Sequence, residues 1–414
     1  MICFLKSPVR VTYSERDRIH LKRCAAWTVL LLRQCGMEAH LEADPQVEWP
    51  AEVRLGSISG LPDETREDWL HIRDENGNIM MMSGSEIAYS AALDYLARAW
   101  KQNRDVNVDG SISDVSGGRN SDAFRTERSG EWRGLFGNVL FDDLQIKPNS
   151  ERNRLCVNLL TQYAPDFIAM QECGPYLREP CGQDDIAVLM ARSGYEETVP
   201  HVVRNPDRTN YTPIFYRKDR LRVLESAYHH YRHQAPGISA DDRSSKGMTW
   251  AVVEHGNRGG RLILINTHFC TQSDVPRLLQ AKEMMHICQE LRRRYPNVPV
   301  LLGGDFNTVL ASMTYRWCIE QGFEDCIFIS ENQSPRYCAH HPYPQFDREF
   351  GMMVPNGDVG GSFEQSVDHI LYLGENARIR VYRYGMITNR LARSYSDHCP
   401  IWVDFCIEAA LSHN

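Results

Sequence analysis

The stretch Leu301-Leu302-Gly303-Gly304-Asp305-Phe306-Asn307 ends an apolar run on two glycines and then offers an acid and an amide two positions apart. Alternation along extended backbone predicts that Asp305 and Asn307 leave the strand on one side, a geometry suited to building a site. Other apolar, β-rich runs are punctuated in the same way: by Asn138, by Glu172 in MQE, by Asn266 and His268 in NTH, by Asp368 in VDH, and by Asp397 and His398 in SDH. If these runs are strands of one sheet system with those ends together, the chain carries a mouth of carboxylates, amides and imidazoles. Hard oxygen donors such as Glu172, Asp397 and Asn138 suit Mg²⁺ or Mn²⁺ and are a poor set for zinc. Attack of water on a phosphodiester builds negative charge on the equatorial and leaving oxygens, and a divalent cation with imidazolium and amide donors stabilises that charge. Asp368 close to a histidine would hold its tautomer and raise its basicity.

Strands and helices must position these groups. From Trp132 onward, strand-like runs (LFGNVLF, DFIAMQE, TPIFYR, TWAVVE, RLILINTH, VPVLLGGD, VDHILYL, CPIWVDF) alternate with helical patterns around Glu151 to Tyr163 and Val275 to Tyr295. Their lengths and β-branched content predict a sheet-rich α/β domain over residues 132–408. Ahead of it, helical spacing from Ser14 to Gly36, strands at 52–56, 68–73 and 78–84 joined by the ENGN turn, and a helix from Ser85 to Trp100 predict a small α+β domain over 1–101. Residues 102–131 are polar and rich in Gly and Ser, the composition of a linker.

Bulk properties narrow the chemistry. Of 414 residues, 42% are apolar and 24% charged, an ordinary globular balance. The net charge of -8 provides no global positive field for a long polyanion, so any nucleic-acid contact needs a local basic groove. Thirteen cysteines without CxxC spacing read as buried, reduced thiols. No secretory signature opens the chain, and AAWTVLLL is far shorter than the ~20 residues that span a bilayer, so a cytoplasmic location without a transmembrane segment is expected.

Several tempting clusters receive plainer readings. His229, His230 and His233 in YHHYRHQ lack a second cluster at ligand spacing and read as an exposed or groove-lining loop. Arg292, Arg293 and Arg294 read as the solvated face of a helix, and Arg277 and Gln280 as helix-to-sheet contacts. The insertion from about Ile329 to Gln365, carrying His340-His341, Tyr343 and Phe346, is expected to overhang the mouth and help select the substrate; the two aromatics could stack on a base or sugar, and packing the loop down is the favoured reading.

MQE, NTH, GGDFN, VDH and SDHCP, in that order, resemble the endonuclease/exonuclease/phosphatase superfamily with its DNase I-like fold, over about Arg133 to Phe405. The resemblance implies a four-layer α/β sandwich with the site at one edge. It implies Glu172 as principal metal ligand, with Asn138 and Asp397 beside the metal. Asp305 and Asn307 would position the attacking water and the phosphate. His398 would stand beside the scissile phosphate, oriented by Asp368, with His268 a phosphate and leaving-group contact and Asn266 a support. The implied activity is hydrolysis of phosphodiester or phosphomonoester bonds, dependent on Mg²⁺ or Mn²⁺. Its substrates would come from nucleic acids, nucleotides, phospholipid head groups or sugar phosphates. Separately, VRLGSISG followed by WLHIRDENGNIMMMSGSEIAYSAALDYLARAW resembles the non-catalytic α+β domain that precedes the barrel of hexosaminidases and α-glucuronidases. That likeness keeps open glycan contact through the first domain. It also keeps open a catalytically silent protein that binds a glycan or partner.

Overall fold

A computed structural model describes residues 9–13, 21–34, 37–43, 52–57, 70–75, 78–83, 93, 111–112, 131–139, 150–173, 184–199, 211–238, 245–256, 260–333, 340–357, 361–374 and 378–408. Packing divides the chain into two units. One is Met1–Arg125 with Asp347–Val354 and Asn389–Leu391; the other is Thr126–Phe346 with Pro355–Thr388 and Ala392–Asn414. No helix among the described residues is long and apolar enough to cross a membrane.

In the first unit, β1 (Val9–Tyr13), β2 (Ala39–Ala43), β3 (Glu52–Ser57), β4 (Leu70–Glu75), β5 (Asn78–Ser83) and β6 (Ser111–Ile112) form one sheet in the order β2-β1-β3-β5-β4-β6. The helix Leu21–Gln34 connects the parallel pair β1 and β2 and buries Cys24, Ala25, Trp27, Val29 and Leu32. The expected hairpin forms, its ladder closing where Glu75 faces Asn78. β1 and β2 were not anticipated, and β6 lies inside the stretch expected to be a linker. Backbone hydrogen bonding does not depend on an extended apolar run, so the two residues Ser111-Ile112 still pair with β4 from within a largely polar stretch. The helix expected from Ser85 to Trp100 lies outside the described residues except for Leu93, which is helical and buried.

The second unit is a four-layer α/β sandwich. Its strands are β7 (Trp132–Asn138), β8 (Phe167–Gln171), β9 (Tyr195–Glu197), β10 (Ile214–Arg217), β11 (Leu221–His230), β12 (Gly247–His255), β13 (Arg261–His268), β14 (Val300–Asp305), β15 (Glu324–Asp325), β16 (Asn332–Gln333), β19 (Asp368–Leu373), β20 (Arg378–Met386) and β21 (Ile401–Glu408); β17 (Gln345–Asp347) and β18 (Met352–Val354) pair apart from its sheets, and β18 belongs to the first unit. One sheet runs β16-β20-β21-β7-β8-β10-β9 and the other β11-β12-β13-β14-β19-β15. Between them lie Phe136, Phe167, Leu264, Leu301, Ile370 and Ile401. On the outer face of the second sheet, Ile263, Ile265, Val300 and Leu302 pack against Met284, Cys288 and Leu291 of the helix Asp274–Arg294. Consecutive residues of β13 thus serve opposite cores, which is why RLILI reads as an unbroken apolar run. Behind the first sheet, the helix Ser150–Gln162 buries Leu155, Leu159 and Leu160.

β11 and β20 escape a periodicity reading because each mixes charged with apolar residues and each carries a bulge, at Val223/Glu225 and Val381/Arg383. His229 and His230 therefore end a strand instead of lying in a loop. Glu283 receives His229 Nε2 at 3.3 Å, the backbone N–H groups of Arg232 and His233, and the His233 ring, so it holds this segment to the long helix. Nine described cysteines are free, eight of them buried, and burial pushes the Cys156 thiol up to about 12.

The two glycines that end β14 have separate reasons. A Cβ on Gly303 would lie 2.4 Å from the Phe136 ring of the facing sheet, so this glycine lets the two sheets close at the site. Gly304 has φ +135°, and a Cβ there would meet Thr267 O of the neighbouring strand at 2.1 Å. Gly304→Ala is expected to destabilise the protein by about 3 kcal/mol or more, because backbone and not a movable side chain is in the way. Urea unfolding checks this; a midpoint equal to wild type contradicts it.

Candidate active site

Register places the reactive residues before any side chain is considered. β13 and β14 pair in parallel with His268 opposite Asp305, and β14 and β19 pair antiparallel with Asp305 opposite Asp368. Three neighbouring strand ends thus present His268, Asp305 and Asp368 in a row. From the other sheet, β7 ends at Asn138, next to Gln171 at the end of β8.

Asp305 is the hub. Its Oδ2 accepts a hydrogen bond from Asn138 Nδ2 at 3.1 Å, and the same amide donates to Glu172 Oε1 at 3.2 Å. His268 Nε2 lies 3.5 Å and His398 Nε2 3.9 Å from that Asp305 oxygen. His398 Nδ1 and Asp368 Oδ2 are 2.8 Å apart, so the acid fixes the imidazole and leaves Nε2 toward Asp305. Ser396 Oγ donates to Asn138 O at 2.6 Å and accepts from His398 N at 3.1 Å, tying the SDH turn to the end of β7.

Glu172 follows β8 with φ 56°, a left-handed conformation rare outside glycine and found where surrounding structure enforces it. Its side chain is 18% exposed, whereas those of Asp305 and His268 are buried, so it opens the site toward solvent. Asn307 also has positive φ, 49°. The alternation expected to set Asp305 and Asn307 side by side therefore stops at Asp305. Asn307 N instead donates to Asp305 Oδ1 at 2.8 Å, and its Nδ2 donates to Phe269 O at 2.9 Å. An aspartate at the end of a strand competes for the N–H two residues on, which bends the chain there. Arg277 donates to Asn307 O, and Gln280 links Cys270 N to His233 O, so both brace these loops. Asn266 is fully buried and bridges the sheets: it accepts from Gln171 Nε2 at 2.6 Å and donates to Met170 O and Pro213 O.

Charge is distributed differently from the sequence expectation. Burial first, then Lys246 and His398, hold His268 well below 6.5, so it stands as a neutral imidazole. The positive charge beside it is Lys246, whose Nζ lies 2.8 Å from His268 Nε2. Burial lowers the Lys246 ammonium, and Glu172 and Asp305 oppose that shift. Sequence reading missed Lys246, since a lone lysine ahead of a strand carries no periodic or motif signal. Burial works to lower His398 too, but Asp368, Asp397 and Asp305 outweigh it and raise the imidazole well above 6.5. Burial raises Asp305 to about 6, with His398 opposing.

Among the described residues, two groups have the spacing for a cation: Glu172, His268 and Asp305, and His340, Asp397 and His398. Asp397 stands in the second group, its Oδ2 3.1 Å from His340 Nε2. The two groups meet where His398 Nε2 approaches Asp305. Among the described residues, the donors around Glu172 are its own carboxylate, that of Asp305, the Asn138 amide and the His268 imidazole, a mainly oxygen set that fits a hard divalent ion.

The sequence model of the Endonuclease/Exonuclease/phosphatase family matches residues 136–398. Carbon catabolite repressor protein 4 homolog 3 of Arabidopsis thaliana is 26% identical over 171 residues, 40% of this chain and 34% of that protein. The aligned segment thus spans about a third of that curated relative. A conserved protein of unknown function from Enterococcus faecalis V583 superimposes with a TM-score of 0.51 at 18% identity, covering 67% of this chain and all of that one. An endonuclease/exonuclease/phosphatase from Bacteroides vulgatus gives 0.50 at 20% identity, covering 67% and 99%. With the fold shared and the family pattern running from β7 to the SDH turn, the chain belongs to the endonuclease/exonuclease/phosphatase family.

Proposed function

We propose that the protein is a divalent-metal-dependent hydrolase of phosphate esters, acting by direct attack of water without a covalent enzyme intermediate. The observation that carries this reading is the convergence on one Asp305 oxygen of Asn138, His268 and the Asp368-held His398, drawn from both sheets. Glu172, with Asn138 and Asp397, would hold Mg²⁺ or Mn²⁺, and when bound the ion would neutralise phosphate charge. Asp305 orients the water and accepts its proton. The bond from phosphorus to the leaving oxygen breaks as the new P–O bond forms. His398, kept charged by its acidic neighbours, donates from Nε2 to a phosphoryl oxygen, and the Lys246–His268 pair faces the same charge from the other side. Asn307 holds the Asp305 carboxylate in place through its backbone N–H.

Purified protein is expected to release p-nitrophenol from bis-p-nitrophenyl phosphate with Mg²⁺ or Mn²⁺. EDTA is expected to abolish the release and added Mg²⁺ to restore it. A rate unaffected by EDTA removes the metal from the proposal; wild-type protein inert with both ions removes the hydrolase. A panel of single-stranded RNA, DNA, nucleotides, inositol phosphates and sugar phosphates then assigns the substrate class. The net charge of -8 disfavours long duplex DNA in that panel.

A further inference from the structure

The long connection between β14 and β19 brings a further imidazole into the mouth. His340 forms an isolated antiparallel bridge with His398, and the next residue, His341, donates its backbone N–H to Asp397 O at 2.7 Å. These backbone contacts hold the His340 side chain with Nε2 3.1 Å from Asp397 Oδ2 and its ring edge-on to His398, centroids 5.0 Å apart at 88°. One donor atom from each of His340, Asp397 and His398 lies within 4.8 Å of the others. Asp397 is 3% exposed, and its Oδ1 has no hydrogen-bond partner among the described residues.

We propose that His340, Asp397 and His398 form a second cation site for a transition metal of the Zn²⁺ class, and that filling it switches hydrolysis off. Two imidazoles and one carboxylate are a ligand set for zinc and its neighbours, with a fourth position left for water. Mg²⁺ prefers oxygen donors and has little to gain from two ring nitrogens. The arrangement behind His398 supports a ligand role: Asp368 occupies Nδ1, as a carboxylate does behind a metal-bound histidine, and so leaves Nε2 to bind. His340 is 49% exposed, which gives an ion a way in from solvent. A metal on Nε2 takes that nitrogen away from the phosphate and claims Asp397 as well. This inhibitory consequence rests on the proposed hydrolysis; the binding itself does not.

The test pairs binding with activity, using the full chain stripped of metal. Zn²⁺ is titrated calorimetrically in the presence of millimolar Mg²⁺, Co²⁺ is followed by its visible absorption, and wild type is compared with His340→Ala and His340→Gln. Circular dichroism verifies that both variants fold. Wild type is expected to bind one more Zn²⁺ than either variant, or to bind that ion at least the roughly 10–100-fold more tightly that even a supporting residue contributes. The Zn²⁺ concentration that halves hydrolysis, each protein measured against its own zinc-free rate, should rise by a similar factor in both variants. Equal zinc stoichiometry and affinity in wild type and variants overturns the site. A His340-dependent zinc that leaves the hydrolytic rate unchanged overturns the switch. If wild type hydrolyses nothing, the calorimetric and Co²⁺ arms still decide the site.

Discussion

His398→Ala is expected to lower kcat for an activated phosphodiester by roughly 10²–10³-fold, the range lost when one preorganised donor to developing negative charge is removed. The expectation follows from where the ring is held. Asp368 Oδ2 sits 2.8 Å from Nδ1, the imidazole is buried, and Nε2 lies 3.9 Å from Asp305 Oδ2, so the nitrogen faces the oxygen about which the site is built. The backbone at this position is anchored independently, by His398 N donating to Ser396 Oγ. Removing the ring therefore leaves the turn in place, and the loss reports on chemistry. Asp368→Asn should lower kcat in the same direction by a smaller factor, since the ring stays but its charged partner is gone. The double variant should fall little below His398→Ala, because the acid acts through the histidine. Steady-state kinetics with p-nitrophenyl esters and saturating Mg²⁺ measures all three. A His398→Ala enzyme keeping half of the wild-type kcat would sink the assignment, as would full additivity of the two substitutions.

How much of this was legible in the sequence depends on how local each signal is. Asp305, Asp368, Glu172 and His398 each interrupt or end an apolar run, so a strand and its polar end are visible within a few residues. What brings them together is register, His268 to Asp305 to Asp368 across β13, β14 and β19, and register has no local signature. Asn307 could be named but not oriented, because alternation says nothing about a residue with φ 49°. Lys246 and His340 reach the site from segments whose own composition is polar and irregular. Their roles come from contacts with His268 and with Asp397, distant in sequence, that no window of residues contains. The strands β11 and β20 were hidden for the reason that makes them useful near sheet edges: charged side chains and a bulge break the period of two.

The largest expected effect on stability lies on the opposite face of β7. Arg133 and Asp404 are cross-strand neighbours on β7 and β21, both fully buried, joined by Nε to Oδ1 at 2.6 Å and Nη2 to Oδ2 at 2.7 Å. Arg133 Nη1 also donates to Tyr163 O at 3.0 Å, and the guanidinium stacks over the Trp402 ring at 5.1 Å. Asp404 Oδ2 meets a second arginine as well, Arg383 at 2.5 Å, which in turn pairs with Glu131. One acid therefore serves two guanidinium groups, and that makes the two deletions unequal. Asp404→Ala leaves Arg133 buried without its carboxylate and is expected to cost about 3–5 kcal/mol. Set against a total of about 5–15 kcal/mol for a domain, this brings the fold close to its limit at 37 °C. Arg133→Met removes the buried cation and leaves Asp404 with Arg383, so its cost should be clearly smaller. Pairing Asp404→Leu with Arg133→Met should recover much of the loss, since an apolar pair of similar volume needs no desolvation of charge. Urea midpoints for the three proteins give the order. If Arg133→Met destabilises as much as Asp404→Ala, the shared-acid account fails, and the bidentate pair acts as an isolated bridge.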